Sequence, residues 1–145
     1  MNKKTSFVGR RKARRYVLQA LYGWMISGNS LSDIEIHIYE EHGEEDFDRE
    51  YFHMLLHEVP ANLEALEKTL NPYLSRKLKE LGPIELTILR IATYELKDRQ
   101  DIPYRVVINE GLELAKAFAA PESHKFVNGV LDKVARELRW TEMNN

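Results

Sequence analysis

The sequence predicts an all-α protein of about seven helices. Its apolar residues recur at spacings of three and four, and alternation of period two is scarce. The chain has 145 residues, of which 43% are hydrophobic and 30% charged, the composition of an ordinary globular protein. This length suits one domain or two small halves that share a core.

The first half of the chain contains four predicted helices. They are expected at residues 10–27, 31–42, 48–70 and 73–80. Gly28 ends the first pattern, and Ser30 or Ser32 can serve as the N-cap of the second helix. Pro60 is expected to kink or split the third. The acidic stretch at 41–48 is predicted to be a solvated loop.

Three further helices are predicted in the second half, at residues 84–98, 104–119 and 121–138. The first of these is apolar around most of its circumference, which indicates a central buried helix. Pro121 is expected at the first position of the last helix. Gly129 lies inside that helix, where glycine is unfavourable, so a neighbour is expected to approach its backbone closely.

Gly82 and Pro83 form the best internal boundary of the chain. They are predicted to separate an N-terminal helical bundle, about 10–81, from a C-terminal one, about 82–138. The tail, 139–145, is expected to be frayed.

Positive charge is concentrated at the N-terminus. The first fifteen residues contain seven bases and no acid, whereas the whole chain carries −2, so residues 16–145 carry −9. On a helical wheel of about 100° per residue, Ala13, Val17 and Leu21 fall on one side. The opposite side carries four polar groups: Arg11, Arg15, Gln19 and Tyr22.

This arrangement is unfavourable for an isolated helix. Positive charge at a helix N-terminus opposes the macrodipole, and Arg10/Arg14 and Arg11/Arg15 are like charges four residues apart. Arginine can bind phosphate through two hydrogen bonds, and an exposed tyrosine can stack on an unpaired base. The pattern favours a site for single-stranded nucleic acid. A solvated basic tail and a helix that binds duplex DNA are the alternatives.

Candidate enzyme sites are weak. The chain has no cysteine, no glycine-rich phosphate loop and no nucleophile motif, so we expect no catalytic residue and no cofactor. His53 and His57 are one helical turn apart, but Met54 stands where a zinc protease needs glutamate. A structural role and no metal are expected for both, and a metal enzyme stays the remote alternative. For His124, interface and hydrogen-bonding roles are favoured over catalysis.

Three stretches together resemble the NusB family of bacterial transcription antitermination factors. They are RRKARRYVLQALYGW near the start, ELTILRIATYEL followed by DIPYRVVINEGLELAKAF, and SHKFVNGVLDKVA near the end. The resemblance extends from about Arg10 to Ala135 in the family's order and spacing. It implies an all-helical fold of two small bundles packed side by side, without catalysis.

The resemblance also implies the partners. Members of this family bind boxA, a single-stranded element of nascent ribosomal RNA, together with NusE, a protein of the small ribosomal subunit. The pair joins RNA polymerase and other Nus factors, and transcription of ribosomal RNA then resists termination. A homodimer is possible, and the absence of a membrane span or signal sequence suggests a cytoplasmic protein.

Functional residues follow from the matching motifs. The implied RNA-binding set is Arg10, Arg11, Lys12, Arg14, Arg15, Gln19, Tyr22, Tyr73, Phe126 and Asn128. Glu80 and Glu85 resemble part of the NusE-facing surface, and Glu122 is expected to moderate RNA affinity. The alternative within the resemblance is the NusB-like helper module of a ribosomal-RNA methyltransferase.

Overall fold

The structure, a computed structural model, describes residues 3–75 and 81–145, with side chains described from Phe7 onward. Within these ranges every regular element is a helix, which confirms the predicted all-α class. The α-helices are α1 (Lys3–Ser27), α2 (Leu31–His42), α3 (Arg49–Ala61), α4 (Leu63–Leu70), α5 (Pro83–Asp98), α6 (Tyr104–Phe118), α7 (Ser123–Leu138) and α8 (Trp140–Met143). A short 3-10 helix, Asn71–Tyr73, follows α4. No helix among the described residues has both the length and the apolarity needed to cross a bilayer.

The chain divides into two compact units, Met1–Ala61 and Asn62–Asn145. The division follows Pro60 directly, since α3 ends at Ala61 and α4 begins at Leu63, so the predicted split at this proline is confirmed. It falls earlier than Gly82-Pro83 because α4 packs against α5 and α7. Of the helix predicted at 73–80, residues 76–80 lie outside the described residues, and Tyr73 ends the 3-10 helix.

The first unit is built on the packing of α1 against α3, with α2 contacting both. Its core is apolar and aromatic, and consists of Ala13, Val17, Leu18, Ala20, Leu21, Ile38, Phe47, Tyr51, Phe52, Leu55, Leu56 and Val59. α1 begins at Lys3, not at residue 10, so the basic segment is helical from near its start. Ser30 is the N-cap of α2, and its hydroxyl accepts a hydrogen bond from the Asp33 backbone N–H at 3.1 Å.

α5 forms the centre of the second unit, as its apolar circumference predicts. It packs against α4, α6 and α7, and its residues 86–89 and 91–96 are all buried. Gly111 of α6 permits close packing, since a Cβ there would lie 3.0 Å from Leu131 Cδ1. The prediction for Gly129 was wrong: this residue is exposed, and no heavy atom of the described residues crowds a Cβ placed there.

α7 begins two residues later than predicted. Pro121 lies outside the helix because Glu122 adopts a left-handed conformation, with φ of 80°, which interrupts the helical path before Ser123. The Glu122 carboxylate pairs with Lys125, at 2.7 Å between Oε2 and Nζ.

Arg139 shows that the C-terminal segment is anchored and not frayed. Only 2% of this residue is exposed. Its guanidinium donates hydrogen bonds to four backbone carbonyls at the end of α5 and in the loop after it: Leu96 at 2.7 Å, Ile102 at 2.8 Å, Arg99 at 2.9 Å and Glu95 at 3.2 Å. The last carbonyls of a helix lack partners within the helix, and a cation there also complements the macrodipole.

Glu142 of α8 completes this anchor. Its Oε1 accepts a hydrogen bond from Arg139 Nη1 at 2.6 Å, and its Oε2 accepts one from the Tyr104 backbone N–H at 2.9 Å. Tyr104 is the first residue of α6, where a carboxylate is favoured by the helix dipole. The end of α5, the start of α6 and the C-terminal residues are therefore joined by one pair of side chains.

Replacing Arg139 by leucine should lower the free energy of unfolding by about 3 kcal/mol, because four backbone carbonyls would lose a charged side-chain donor. Urea denaturation followed by circular dichroism measures the loss. Arg136→Leu is the matched control, since that arginine is exposed and pairs only with Asp132 among the contacts seen, at 3.0 Å. Its effect should stay within about 0.5 kcal/mol. Equal losses in the two variants would contradict the anchoring role.

Glu142 should make this anchor sensitive to acid. Burial raises the pKa of Glu142, but the bonds from Tyr104 and Arg139 outweigh it and hold the pKa below the ordinary 4.5. The stabilisation is then present above 4.5 and is lost as the pH falls through the lower folded value. Glu142→Gln should therefore destabilise the protein at neutral pH, and the difference from the unaltered chain should shrink in acid. Urea denaturation from neutral to acid pH measures this difference. For a control, Glu113→Gln on the exposed side of α6, the difference in stability from the unaltered chain should not change with pH in this way.

Candidate nucleic-acid interface

α1 has two faces whose division the structure confirms. Ala13, Val17 and Leu21 are buried, whereas Arg11, Arg15 and Gln19 are exposed. Tyr22 continues the exposed side, with 38% of its surface accessible. These last four side chains follow the spacings four, four and three, so they form one stripe along the helix. We call Arg11, Arg15, Gln19 and Tyr22 the outer stripe.

The stripe extends further than the sequence analysis predicted. Phe7 is exposed one turn before Arg11. The guanidinium carbon of Arg11 lies 5.7 Å from the centre of the Phe7 ring. Ile26 is exposed one turn beyond Tyr22. Helical spacing would have identified Phe7, but the predicted helix began at residue 10, and the observed one begins at Lys3.

Arg10 and Arg14 lie on the inner flank of α1, against α3. Their guanidinium carbons are 4.6 and 5.3 Å from the centre of the Tyr51 ring, distances at which a cation is attracted to an aromatic face. Arg14 is only 4% exposed. Arg10 is half-buried, and its Nε lies 3.7 Å from Asp48 Oδ2. The two arginines are thus part of the packing, and their predicted contact with RNA stays a prediction.

The acidic stretch 41–48 contacts α1 and is not simply a solvated loop. The Asp48 backbone N–H donates to the Gly9 carbonyl at 3.1 Å, and the Tyr16 hydroxyl donates to Glu45 Oε1 at 2.6 Å. Burial and this hydrogen bond raise the pKa of Tyr16 to about 12. The hydrogen bond from Tyr16, one from His42 and the charge of nearby Lys12 lower the pKa of Glu45. Acidic groups therefore offset part of the positive charge on the inner flank of α1.

The predicted residues of the second unit lie on two elements that touch. Tyr73 of the 3-10 helix is half-buried, and its hydroxyl donates to Glu137 Oε1 on α7 at 2.6 Å, which raises the pKa of Tyr73. On α7, Phe126 is half-buried and Asn128 is exposed. Eleven residues separate Phe126 from Glu137, so they share one face of α7 about 16 Å apart along its axis.

Of the two acids predicted to bind the partner, the structure describes only Glu85. Glu80 lies outside the described residues. Glu85 is half-buried in the first turn of α5, where a carboxylate complements the helix dipole, so it has a local structural role.

The described helices define an all-α protein, and the outer stripe is its candidate nucleic-acid interface. A model of the NusB family matches residues 11–136. The chain therefore belongs to the NusB family, whose members are transcription antitermination factors and not enzymes.

Curated relatives share this assignment. Transcription antitermination protein NusB of Alcanivorax borkumensis is 54% identical over 142 residues, which cover 98% of this chain and 95% of the relative. The protein of the same name from Edwardsiella ictaluri is 54% identical over 130 residues, 90% of this chain and 94% of the relative.

Solved structures confirm the fold. NusB of T. maritima is 34% identical, with a TM-score of 0.75 over 88% of this chain and 91% of that one. A chain in the crystal structure of antitermination factors NusB and NusE in complex with double-stranded RNA is 26% identical. Its TM-score is 0.80, over 88% of this chain and 96% of that one.

Replacing Arg14 by methionine should separate its packing role from the role of the outer stripe. Loss of the buried cation beside Tyr51 should lower the free energy of unfolding by about 1–2 kcal/mol. Arg15→Met, the exposed neighbour, should change it by no more than about 0.5 kcal/mol. Urea denaturation of both variants measures the contrast, and a larger loss in Arg15→Met would show that the two faces are misassigned.

Proposed function

We propose that the chain is an RNA-binding transcription antitermination factor that holds boxA-type single-stranded RNA of nascent ribosomal transcripts on the outer stripe of α1. It acts with NusE inside the RNA polymerase antitermination complex that other Nus factors complete. The observation that carries the proposal is the exposure of two arginines, an amide and a tyrosine along one side of a helix whose other side is buried.

Each side chain of the outer stripe supplies a distinct interaction. Arg11 and Arg15 can neutralise phosphates and release counterions, and each guanidinium can bind phosphate through two hydrogen bonds. Gln19 can donate to and accept from the edge of a base. Tyr22 offers an exposed ring on which an unpaired base can stack. Phe7, next to Arg11, offers a second aromatic surface at the N-terminal end of the stripe.

The choice of a single strand follows from the tyrosine. In an A-form duplex the base faces are stacked on one another, so a protein aromatic can reach them only in loops, bulges and single strands. The related NusB–NusE structure contains double-stranded RNA. Arginines alone would serve either form, and the exposed ring favours the unpaired one.

Three residues of the second unit are also proposed to contact RNA. Tyr73, Phe126 and Asn128 combine two aromatic rings with an amide, the groups that bind bases. Tyr73 contacts Glu137, which lies about 16 Å from Phe126 along α7, a length that corresponds to several nucleotides at about 3.4 Å per strand step. The arrangement supports contact with bases more than with phosphates, since none of the three is basic.

Partner binding rests on charge and family. Outside the basic start, the chain carries −9, which suits a basic ribosomal protein such as NusE. Glu85 is proposed as part of that surface, and Glu80 is proposed with it on the resemblance alone. The chain matches 95% of the length of an antitermination protein, which supports a role in antitermination over that of a methyltransferase helper module. We propose a cytoplasmic location, which suits a protein that binds nascent transcripts.

Salt dependence of RNA binding tests the two kinds of contact separately. If about five phosphates are neutralised, log K should fall against log salt with a slope near −3.5. Arg15→Gln should weaken binding and make the slope less steep by about 0.7. Tyr22→Ala should weaken binding by about 1–3 kcal/mol and leave the slope unchanged. Fluorescence anisotropy with labelled boxA RNA gives both quantities.

Controls for this titration come from the same chain and from the probe. Arg105→Gln removes an exposed arginine of α6 that donates to the Tyr104 hydroxyl, and it should bind like the unaltered protein. Scrambled RNA and duplex RNA of equal length should bind more weakly than single-stranded boxA RNA. Tighter binding of the duplex, or an affinity that does not depend on salt, would contradict the proposed interface.

A further inference from the structure

Two histidines and one glutamate converge on the surface of the first unit, away from the outer stripe. His53 and His57 lie one turn apart on α3, and Glu35 faces them from α2. Glu35 Oε2 is 2.6 Å from His53 Nδ1, and Glu35 Oε1 is 2.8 Å from His57 Nε2. The two imidazole rings have centres 4.4 Å apart. One ligand atom from each of the three residues lies within 4.8 Å of the others.

The donor set is that of a transition-metal site. Two imidazole nitrogens and a carboxylate oxygen are typical ligands of Zn²⁺, and imidazole also suits copper and nickel. With metal–ligand bonds of about 2.0–2.1 Å, neighbouring donors of a tetrahedral ion lie about 3.3 Å apart. The Glu35–His53 contact would lengthen by about 0.7 Å and the Glu35–His57 contact by about 0.5 Å to admit an ion, and donor atoms that lie further apart, all within 4.8 Å, would move closer.

The surroundings of the three residues hold the carboxylate in place and leave one side open. The Tyr39 hydroxyl donates to Glu35 Oε2 at 2.6 Å and fixes its orientation, as outer partners do in metal sites. The Glu35 side chain is 11% exposed, whereas that of His53 is 59% exposed. Because the His53 side chain is exposed, an ion can reach the buried Glu35 carboxylate from solvent, and a water molecule can bind the ion on the exposed side.

We propose that Glu35, His53 and His57 form a site for one divalent transition-metal ion of the zinc type. The ion would tie α2 to α3 and so stabilise the three-helix unit that carries α1. The histidine spacing alone did not indicate this, because the third ligand lies 18 residues before His53, on a different helix. The site is independent of the proposed RNA function.

Calorimetric titration of the full chain, without a polyhistidine tag, with zinc chloride tests the site. The unaltered protein should bind one equivalent. His53→Gln and His57→Gln should each weaken binding at least tenfold. His37→Gln is the matched control, because His37 is exposed on α2 and pairs with Glu41 at 2.6 Å, outside the cluster. It should bind zinc like the unaltered chain.

A second measurement guards against misfolded variants. Zinc should raise the melting temperature of the unaltered chain and of His37→Gln, since an ion that binds only the folded state stabilises it. It should leave that of His53→Gln unchanged, while His53→Gln retains the helical circular dichroism of the unaltered chain. No detectable zinc binding by the unaltered chain, or equal affinity in His53→Gln, would overturn the proposal and leave a hydrogen-bonded cluster only.

Discussion

The packing of α1 against α3 sets the rotation of α1 about its own axis, and that rotation determines which basic side chains reach solvent. Val17 and Ala13 are completely buried, so the helix cannot turn without exposing apolar surface. A rotation by one residue, about 100°, would bring part of the outer stripe into the core. Burying an unpaired guanidinium there would be far more costly than burying an alkyl group. The hydrophobic core of the first unit and its charged surface are therefore two results of one constraint.

Arginine is used in different ways along the same helix. Arg10 and Arg14 bind the face of Tyr51, and Asp48 lies beside Arg10, so part of the N-terminal charge is satisfied within the protein. Glu45 adds negative charge near Lys12. On the outer side of α1, Arg11 and Arg15 are exposed to solvent.

The sequence predicts those features that depend on local periodicity. The helical class, the buried character of α5 and the two faces of α1 all follow from spacings of three and four, and all are present. Features that depend on distant partners could not be predicted in the same way. Arg139 looked like part of a frayed tail because its partners are carbonyls 37 to 44 residues away, and carbonyls have no signature in a sequence. The burial of Arg14 depends on Tyr51 in the same manner.

Arg139 and Arg15 also show why the number of charged residues is only an upper limit to the number of charges that a ligand can contact. Both side chains carry the same formal charge, but Arg139 is enclosed by backbone carbonyls and cannot reach a phosphate. The same reasoning applies within the N-terminal cluster, where the inner arginines have partners in the fold. Affinity for RNA should therefore depend on the exposed guanidiniums of the outer stripe and not on the total of seven bases at the N-terminus. Placement on the helix, fixed by the core, determines which charged side chains of α1 reach solvent.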